Sequence, residues 1–210
     1  MLEQLLKFFV VFFVVVDPVS LIPLFSGLTA GATPGYRQRM AAQAVIIAGT
    51  ILLLFAVGGA AFLNLMGISL EAFRIFGGLL LFLLALDMVF ARESGTRTSS
   101  GEAAESRRRA DISVFPLAFP FIAGPGALAT ILLWFGPLRL AGHAALFGLY
   151  FCAVLVVLAI ALTMMLLAEP LMRVVGVTGA NVASRLLGVI LGALAVQFVL
   201  DGLRQAFGVG

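Results

Sequence analysis

Long apolar segments, separated by short polar stretches, dominate the pattern along the chain. A membrane-spanning helix needs about 20 mostly apolar residues, and six segments reach roughly that length. The pattern therefore predicts an all-α membrane protein with six transmembrane helices. The six segments cover residues 5–27, 41–64, 70–90, 112–135, 144–168 and 182–203.

The polar stretches between these segments differ in character. Residues 31–39 contain Gly and Pro and predict a turn. Residues 64–69 are so few that the flanking helices should be antiparallel neighbours, and short connections are predicted at 136–143 and 169–181. Residues 92–111 are rich in Glu, Ser, Gly and Arg, which is typical of a solvated, disordered linker. The predicted division is a first three-helix repeat at 1–90, a polar cytoplasmic linker at 91–111 and a second three-helix repeat at 112–210.

The first apolar segment carries an acidic residue at its middle, in the sequence Asp17-Pro18-Val-Ser20-Leu-Ile-Pro23. A carboxylate at the centre of a membrane helix costs about 2.5–3.5 kcal/mol on insertion scales. Each proline also removes a backbone donor and disturbs the preceding turn. A segment that served only as an anchor gains nothing from these features, so they indicate a broken helix with a polar site inside the membrane.

The two halves of the chain match each other in pattern. Asp17-Pro18 aligns with Gly124-Pro125 at an offset of 107 residues, and Arg74-x-x-Gly77 aligns with Arg185-x-x-Gly188 at an offset of 111. Because each half has three helices, the halves must cross the membrane in opposite directions. Such inverted repeats, with broken first and fourth helices, are a recurring plan of secondary transporters, whose substrate lies between the breaks near the midplane.

A zwitterion suits a site between two helix breaks, since half-helix N-termini favour a carboxylate and C-termini favour a cation. The competing interpretation is a packing kink, since Gly and Pro are frequent in membrane helices. Ser20 and Thr130 could instead bond to their own helices, and Gln197 could join two helices. Arg74 and Arg185 either extend to the interface or pair with the breaks. The predicted substrate-binding residues are Asp17, Pro18, Ser20, Pro23, Gly124, Pro125, Gly126, Thr130 and Gln197.

Composition agrees with a membrane protein. The chain is 62% hydrophobic and 11% charged, against about 45–50% and 25% in soluble proteins. The basic pI reflects loop arginines, so no nucleic-acid partner is expected. One Cys and one His predict neither a metal site nor an internal disulfide, and no cofactor is expected. The first segment lacks a signal-peptidase site and is interpreted as a retained helix.

Loop charges predict the orientation of the chain. With the N-terminus outside, nine Lys and Arg residues lie on the cytoplasmic side and four lie outside, as the positive-inside rule requires. Both termini are therefore predicted outside the cytoplasm.

The chain resembles the MarC family of bacterial inner-membrane proteins, also called the six-helix neutral amino acid transporter family. The resemblance rests on residues 17–25, 115–130, 185–188 and 195–202. It implies an inner-membrane protein that moves small neutral amino acids such as glycine or alanine. Family members commonly have Gly at the positions of Ser20 and Val189, so this chain places an additional hydroxyl in the predicted site.

Three functional hypotheses follow. The first is a secondary transporter in which Asp17 binds a substrate amine or a coupling ion, either a proton or sodium. The second is a passive channel for small solutes. The third is an intramembrane aspartyl enzyme using Asp17 and Asp87, which is disfavoured because Asp87 lies near the interface; no enzymatic activity is expected. The expected partners are the lipid bilayer and a small-molecule substrate, and a homo-oligomer is left open.

Overall fold

The computed structural model describes residues 2–90, 111–138 and 140–208, with the backbone alone for 140–143. Every regular element in these ranges is a helix, which confirms the all-α prediction for them. α5 is π-helical and the others are α-helical. In chain order the helices are α1 Leu2–Val16, α2 Leu21–Leu28, α3 Pro34–Leu65, α4 Leu70–Phe90, α5 Ser113–Ile122, α6 Pro125–Phe135, α7 Leu140–Leu166 and α8 Ala168–Phe207.

Five of the described helical stretches are long and apolar enough to cross a membrane. The pair α5–α6, bent by 54°, adds a sixth if it is counted as one span. Large apolar side chains cover the outside of the bundle, among them Ile46, Leu54 and Leu186, each more than 60% exposed. Such a surface suits hydrocarbon rather than water. Residues 91–110 of the linker predicted at 91–111 lie outside the described residues, and the division into two repeats stays a prediction.

Three predicted connections are shorter than expected. α3 begins at Pro34 instead of residue 41, because the Thr33 hydroxyl accepts a hydrogen bond from the Tyr36 N–H and Pro34 suits the first helical position. α7 begins at Leu140, within the predicted connection 136–143. Residues 169–181 are helical instead of a loop, and only Gly176, at φ 65° and ψ 173°, interrupts α8. Pro170 is tolerated because it lies in the first turn of the helix.

The connection between α3 and α4 is as short as predicted. Gly67 adopts a left-handed φ of 68°, and the Ile68 N–H donates to the Leu63 carbonyl at 2.9 Å, which closes the end of α3. The Ser69 hydroxyl then accepts from the Ala72 N–H at 3.1 Å and caps α4. The two helices nevertheless do not pack along each other, because α3 packs against α5, α6 and α7 whereas α4 packs against α6 and α8. The prediction that they are antiparallel neighbours is therefore wrong for the described residues.

The first span is the most enclosed of the candidate spans. In α1, Phe8 is fully buried and lies 5.6 Å from Phe12, 5.6 Å from Trp134, 5.9 Å from Phe135 and 5.0 Å from Tyr150, measured between ring centroids. This aromatic cluster joins α1 to α6 and α7. The middle of α1 therefore lies inside the protein. Asp17, which follows the end of α1, is also fully buried and faces other helices instead of lipid.

α4 and α8 pack closely along their length because small residues face each other. A Cβ on Gly78 would lie 2.9 Å from the Ala195 carbonyl oxygen, and one on Gly188 would lie 3.1 Å from the Ala85 carbonyl oxygen. The first distance is too short for a side-chain atom, and the second is tighter than most contacts that a Cβ makes. Membrane helices approach each other in this way where van der Waals packing must replace the hydrophobic effect.

Candidate binding site at two helix breaks

The first break lies between α1 and α2, at Asp17 to Ser20. Asp17 has a φ of +49°, a left-handed conformation that is uncommon outside glycine. Its N–H still donates to the Phe13 carbonyl at 2.9 Å, and its own carbonyl accepts from the Ser20 N–H at 3.1 Å. Pro18 follows and has no N–H with which to continue α1. The chain therefore turns at Asp17 and restarts as α2.

The Asp17 carboxylate is fully buried and is satisfied by serines. The Ser20 hydroxyl donates to Oδ2, the Ser20 N–H donates to Oδ1 at 3.3 Å, and the Ser184 hydroxyl donates to Oδ1 at 3.5 Å. The Ser20 and Ser184 hydroxyls are 2.7 Å apart. These hydrogen bonds offset the cost of burying the carboxylate. Because Ser184 lies on α8, the cluster joins the two halves of the chain.

Asp17 has no basic partner in the part of the chain that the structure describes. The described ion pairs join Lys7 to Glu3 and Arg37 to Glu169. Among these residues, hydroxyl and amide donors face the carboxylate. A cationic group entering the break would meet an acidic group that forms no ion pair with the described basic side chains.

The second break lies between α5 and α6. Phe115 and Phe119 have extended dihedral angles inside α5, and each precedes a proline, which disfavours the helical conformation in the residue before it. α6 restarts at Pro125, with Gly124 extended at φ −74° and ψ 173° as its N-cap. A Cβ on Gly124 would overlap the Pro120 carbonyl oxygen. Glycine is therefore required for the chain to pass this point.

A small cavity of about 160 Å³ lies at the second break and reaches the end of α1, two residues before Asp17. Val15, just before Asp17, lines it together with Leu84 of α4 and Gly124, Pro125 and Gly126 of the second break. A Cβ on Gly126 would lie 3.2 Å from Val15 Cγ1. Asp17 is absent from the lining, because its carboxylate is turned towards Ser20 and Ser184. The cavity thus adjoins the Asp17 cluster without including it.

The structure brings the other predicted residues together only in part. Pro18 is buried in the first break, whereas Pro23 is half-buried in the first turn of α2, where its missing N–H costs little. Thr130 is buried, but its hydroxyl donates to the Gly126 carbonyl of its own helix at 2.9 Å. Gln197 is exposed on α8 and donates to Asp201 Oδ1 at 2.7 Å, away from the lining of this cavity.

The two predicted arginines lie at different places. Arg74 lines a second cavity of about 320 Å³, together with Asp201 and the aromatic rings of Trp134 and Tyr150. Arg185 is exposed on α8. Neither arginine forms an ion pair with Asp17 in the described ranges.

Ser184 is the residue at the break that sequence reasoning missed. It precedes Arg185, which drew attention by its match to Arg74, and it lies four positions before Gly188. Residues four apart share one face of a helix, and Gly188 is on the face that packs against α4. A serine on the same face of α8 as Gly188 was the signal available.

At one end of the bundle, charged groups tie the helices together. Arg37 of α3 pairs with Glu169 of α8 and lies 5.8 Å from the centroid of the Phe25 ring in α2. Near them, the Ser113 hydroxyl and N–H donate to Asp111 Oδ1 at 2.6 and 2.9 Å. These hydrogen bonds, aided by the charge of Arg39, hold the pKa of Asp111 below its usual value. These contacts therefore join α2, α3 and α8 at this end of the bundle.

Comparison with known proteins places the chain in one family. A family model described as MarC family integral membrane protein matches residues 2–207. The chain is 35% identical to the UPF0056 membrane protein YvbG of Bacillus subtilis, covering 99% of this chain and 97% of that one. It is 33% identical to YhcE of Escherichia coli, over 96% and 92% of the two chains. A UPF0056 membrane protein of Archaeoglobus fulgidus is 34% identical over 94% and 91%.

No solved structure matches the chain. The family match nevertheless spans almost its whole length, and the relatives are covered almost completely by it. Together with the apolar helices of the fold, these matches identify the chain as a multi-pass integral membrane protein that belongs to the MarC family.

Proposed function

We propose that the protein is a secondary transporter of small neutral amino acids resembling glycine and alanine. The observation that carries the proposal is the fully buried Asp17 carboxylate at a helix break that adjoins a second break and a cavity. Ionisable groups inside membrane bundles typically mark substrate or ion pathways. Discontinuous helices that meet at mid-membrane are typical of transporter binding sites.

The proposed site recognises the two charged ends of a zwitterion by different means. The first turn of α6 has backbone N–H groups without helical partners, and the positive end of its dipole favours a carboxylate. Asp17 and the last carbonyls of α1 favour the ammonium group. In the observed conformation the hydroxyls of Ser20 and Ser184 donate hydrogen bonds to the Asp17 carboxylate. The substrate or a coupling ion would displace these hydroxyls.

The size of the cavity agrees with a small substrate. Its volume of about 160 Å³ is below the roughly 300–1,000 Å³ of sites for drug-sized molecules. The side chains around it are mainly apolar, such as Val15 and Leu84, and they would accept a hydrogen or methyl side chain more readily than a charged one. A proton or a sodium ion at Asp17 is proposed as the coupling ion.

An inverted repeat of six spans is part of the proposal. α4 and α8, the last spans of the two halves, pack through matched contacts. Gly78 approaches Ala195 and Val199, and Gly188 approaches Ala85 and Val89. Position 188 is 110 residues after position 78, and positions 195 and 199 are 110 residues after positions 85 and 89. The contacts of Gly78 and those of Gly188 therefore join equivalent positions of the two halves. This exchange supports two structurally related halves, with Gly78 as the partner of Gly188 in place of Gly77. Movement of one half against the other would then give alternating access.

The proposed location is the bacterial inner membrane, with both termini outside the cytoplasm. Arg37, Arg39, Asp111 and Glu169 gather at one end of the bundle, which is the end to which loop charges assign the cytoplasm. Gln4, Arg74 and Asp201 gather around a cavity at the other end.

Counterflow of labelled glycine and alanine into proteoliposomes tests the proposal. We expect saturable uptake by the wild-type protein and a loss of about tenfold or more in Asp17→Asn. A hydrogen bond to a charged group contributes about 1.5–3 kcal/mol, and 1.4 kcal/mol corresponds to a factor of ten. The matched control is Asp111→Asn, which alters an exposed carboxylate outside the spans and should transport like the wild type.

The outcomes separate the hypotheses. Uptake that rises linearly with concentration and shows no counterflow would indicate a channel instead of a carrier. Equal uptake by Asp17→Asn and wild type would remove Asp17 from the mechanism. Absence of uptake of both amino acids by a folded wild-type protein would refute the assigned substrate class.

A further inference from the structure

A second cavity, of about 320 Å³, opens at the end of the bundle that carries the N-terminus. Gln4 of α1 lines it, whereas Val15 of α1 lines the cavity at the helix breaks. These residues are eleven positions apart, which corresponds to about 16 Å along a helix. The second cavity is therefore separate from the site at the breaks. Its volume lies within the range of small-molecule sites.

Two opposite charges line this cavity, Arg74 from α4 and Asp201 from α8. Their helices are in close contact beside them, since a Cβ on Gly202 would lie 2.8 Å from Ile75 Cγ1. Even so, no ion pair within 4.0 Å joins Arg74 to Asp201 in the described ranges. Each charge is consequently available to a ligand that bridges the space between them.

Side chains at this cavity also make contacts with one another and with residues beside it. Gln197 donates to Asp201 Oδ1 at 2.7 Å, which orients the carboxylate and leaves its second oxygen to accept from a ligand. Trp134 and Tyr150 form an aromatic wall, with ring centroids 5.6 Å apart and planes at 86°. Aromatic faces pack against short apolar groups and also attract ammonium groups. The cavity thus combines a guanidinium, a carboxylate and an aromatic wall.

We propose that this cavity is a second binding site, for a small molecule that carries both an ammonium group and an oxyanion. Arg74 binds the oxyanion, Asp201 binds the ammonium group, and Gln197 positions Asp201. Two sources share this chemistry, namely a free amino acid and the headgroup of phosphatidylethanolamine. The site requires neither transport nor a substrate at the helix breaks.

Calorimetric titration of the purified, detergent-solubilised protein tests the proposal, with alanine and a short-chain phosphatidylethanolamine as probes. The Asp17→Asn variant is used throughout, so that the site at the breaks is impaired and the second cavity is intact. We expect one ligand per chain, and binding at least tenfold weaker after addition of Arg74→Gln or Asp201→Asn. Arg74→Lys should recover part of the affinity, because it keeps the charge. Propionate and methylamine, which each lack one charge, should bind more weakly than alanine.

The control is Arg173→Gln, which removes an exposed arginine of α8 that lines neither cavity. It should bind like its parent, and unchanged elution from a sizing column should show that each variant is folded. Binding of alanine identifies a solute site, and binding of the lipid alone identifies a headgroup site. Binding of neither probe, or affinity unchanged in both Arg74→Gln and Asp201→Asn, would overturn the proposal. These results are independent of counterflow, so either proposal can fail alone.

Discussion

Some residues of the candidate site could be predicted from the sequence around them, and others could not. The break at Asp17 was predictable, because an acidic residue followed by proline is incompatible with an undisturbed apolar helix. Ser184 was not, because it reaches Asp17 from 167 positions away and no local rule connects them. Thr130 shows the opposite case. It was predicted to bind substrate, yet its hydroxyl donates to the Gly126 carbonyl of its own helix.

Removal of single hydroxyls distinguishes a hydrogen bond between helices, made by Ser184, from one within a helix, made by Thr130. Ser184→Ala deletes a donor to the buried Asp17 carboxylate and the contact with Ser20. We expect the free energy of unfolding to fall by about 1 kcal/mol, within the range of up to about 1.7 measured for hydrogen bonds between membrane helices. Thr130→Val keeps the shape and removes only a bond within one helix, so its effect should stay within about 0.5 kcal/mol.

Thermal unfolding of both variants in detergent provides the comparison. A larger loss for Thr130→Val than for Ser184→Ala would contradict the assignment of the Asp17 cluster as a link between the two halves.

Helices were predictable in type and approximate position, since long apolar runs leave few alternatives in lipid. Their ends were not. The sequence predicted a loop at 169–181, because Glu169, Pro170 and Arg173 are polar or helix-breaking, whereas the structure continues α8 with one interruption at Gly176. The charge pattern could not reveal this, because a helix at the end of a bundle tolerates polar residues as well as a loop does.

The glycines of α4 provide a test of how the helices pack. Gly78→Ala would place a Cβ 2.8 Å from Val199 Cγ2 and 2.9 Å from the Ala195 carbonyl oxygen. Since the backbone of α8 cannot move cheaply, we expect a loss of about 1–3 kcal/mol, as for overpacked cores. The matched control is Gly58→Ala in α3, whose added Cβ would meet no atom within 4 Å. It should be neutral, or stabilising by up to about 1 kcal/mol, because alanine favours the helix.

Unfolding of these two variants by titration with a denaturing detergent measures the difference. Equal stability of Gly78→Ala and Gly58→Ala would mean that α4 and α8 do not approach as closely as the structure places them.

The molecule as a whole has two chemically different ends. One end gathers Arg37, Arg39 and Glu169 around the start of α3, and the other presents the cavity of Arg74 and Asp201. Loop charges predict from sequence that the first of these ends faces the cytoplasm, because the positive-inside rule depends only on counts. The pairing of Arg37 with Glu169 could not be predicted, since it depends on how the two halves pack.

The orientation in the membrane can be measured on α3 alone. Gln38 and Met66 are exposed near its two ends, 28 residues apart, which corresponds to about 42 Å of helix. This exceeds the roughly 30 Å hydrocarbon core, so the two positions should face opposite compartments. In a Cys152→Ser background, which removes the exposed native thiol, an impermeant maleimide should label Met66→Cys in intact spheroplasts. Gln38→Cys should react only after the membrane is permeabilised, because the positive-inside rule places the basic end in the cytoplasm.

The reverse labelling pattern would place both termini and the Arg74–Asp201 cavity in the cytoplasm, and it would contradict the orientation derived from loop charges. Labelling of both positions in intact spheroplasts would mean that α3 does not cross the membrane. The expected pattern would place the 320 Å³ cavity on the external side, because Met66 lies beside the start of α4, where Arg74 is located. A solute bound there would then approach the helix breaks from outside, on the side opposite the Arg37–Glu169 ion pair.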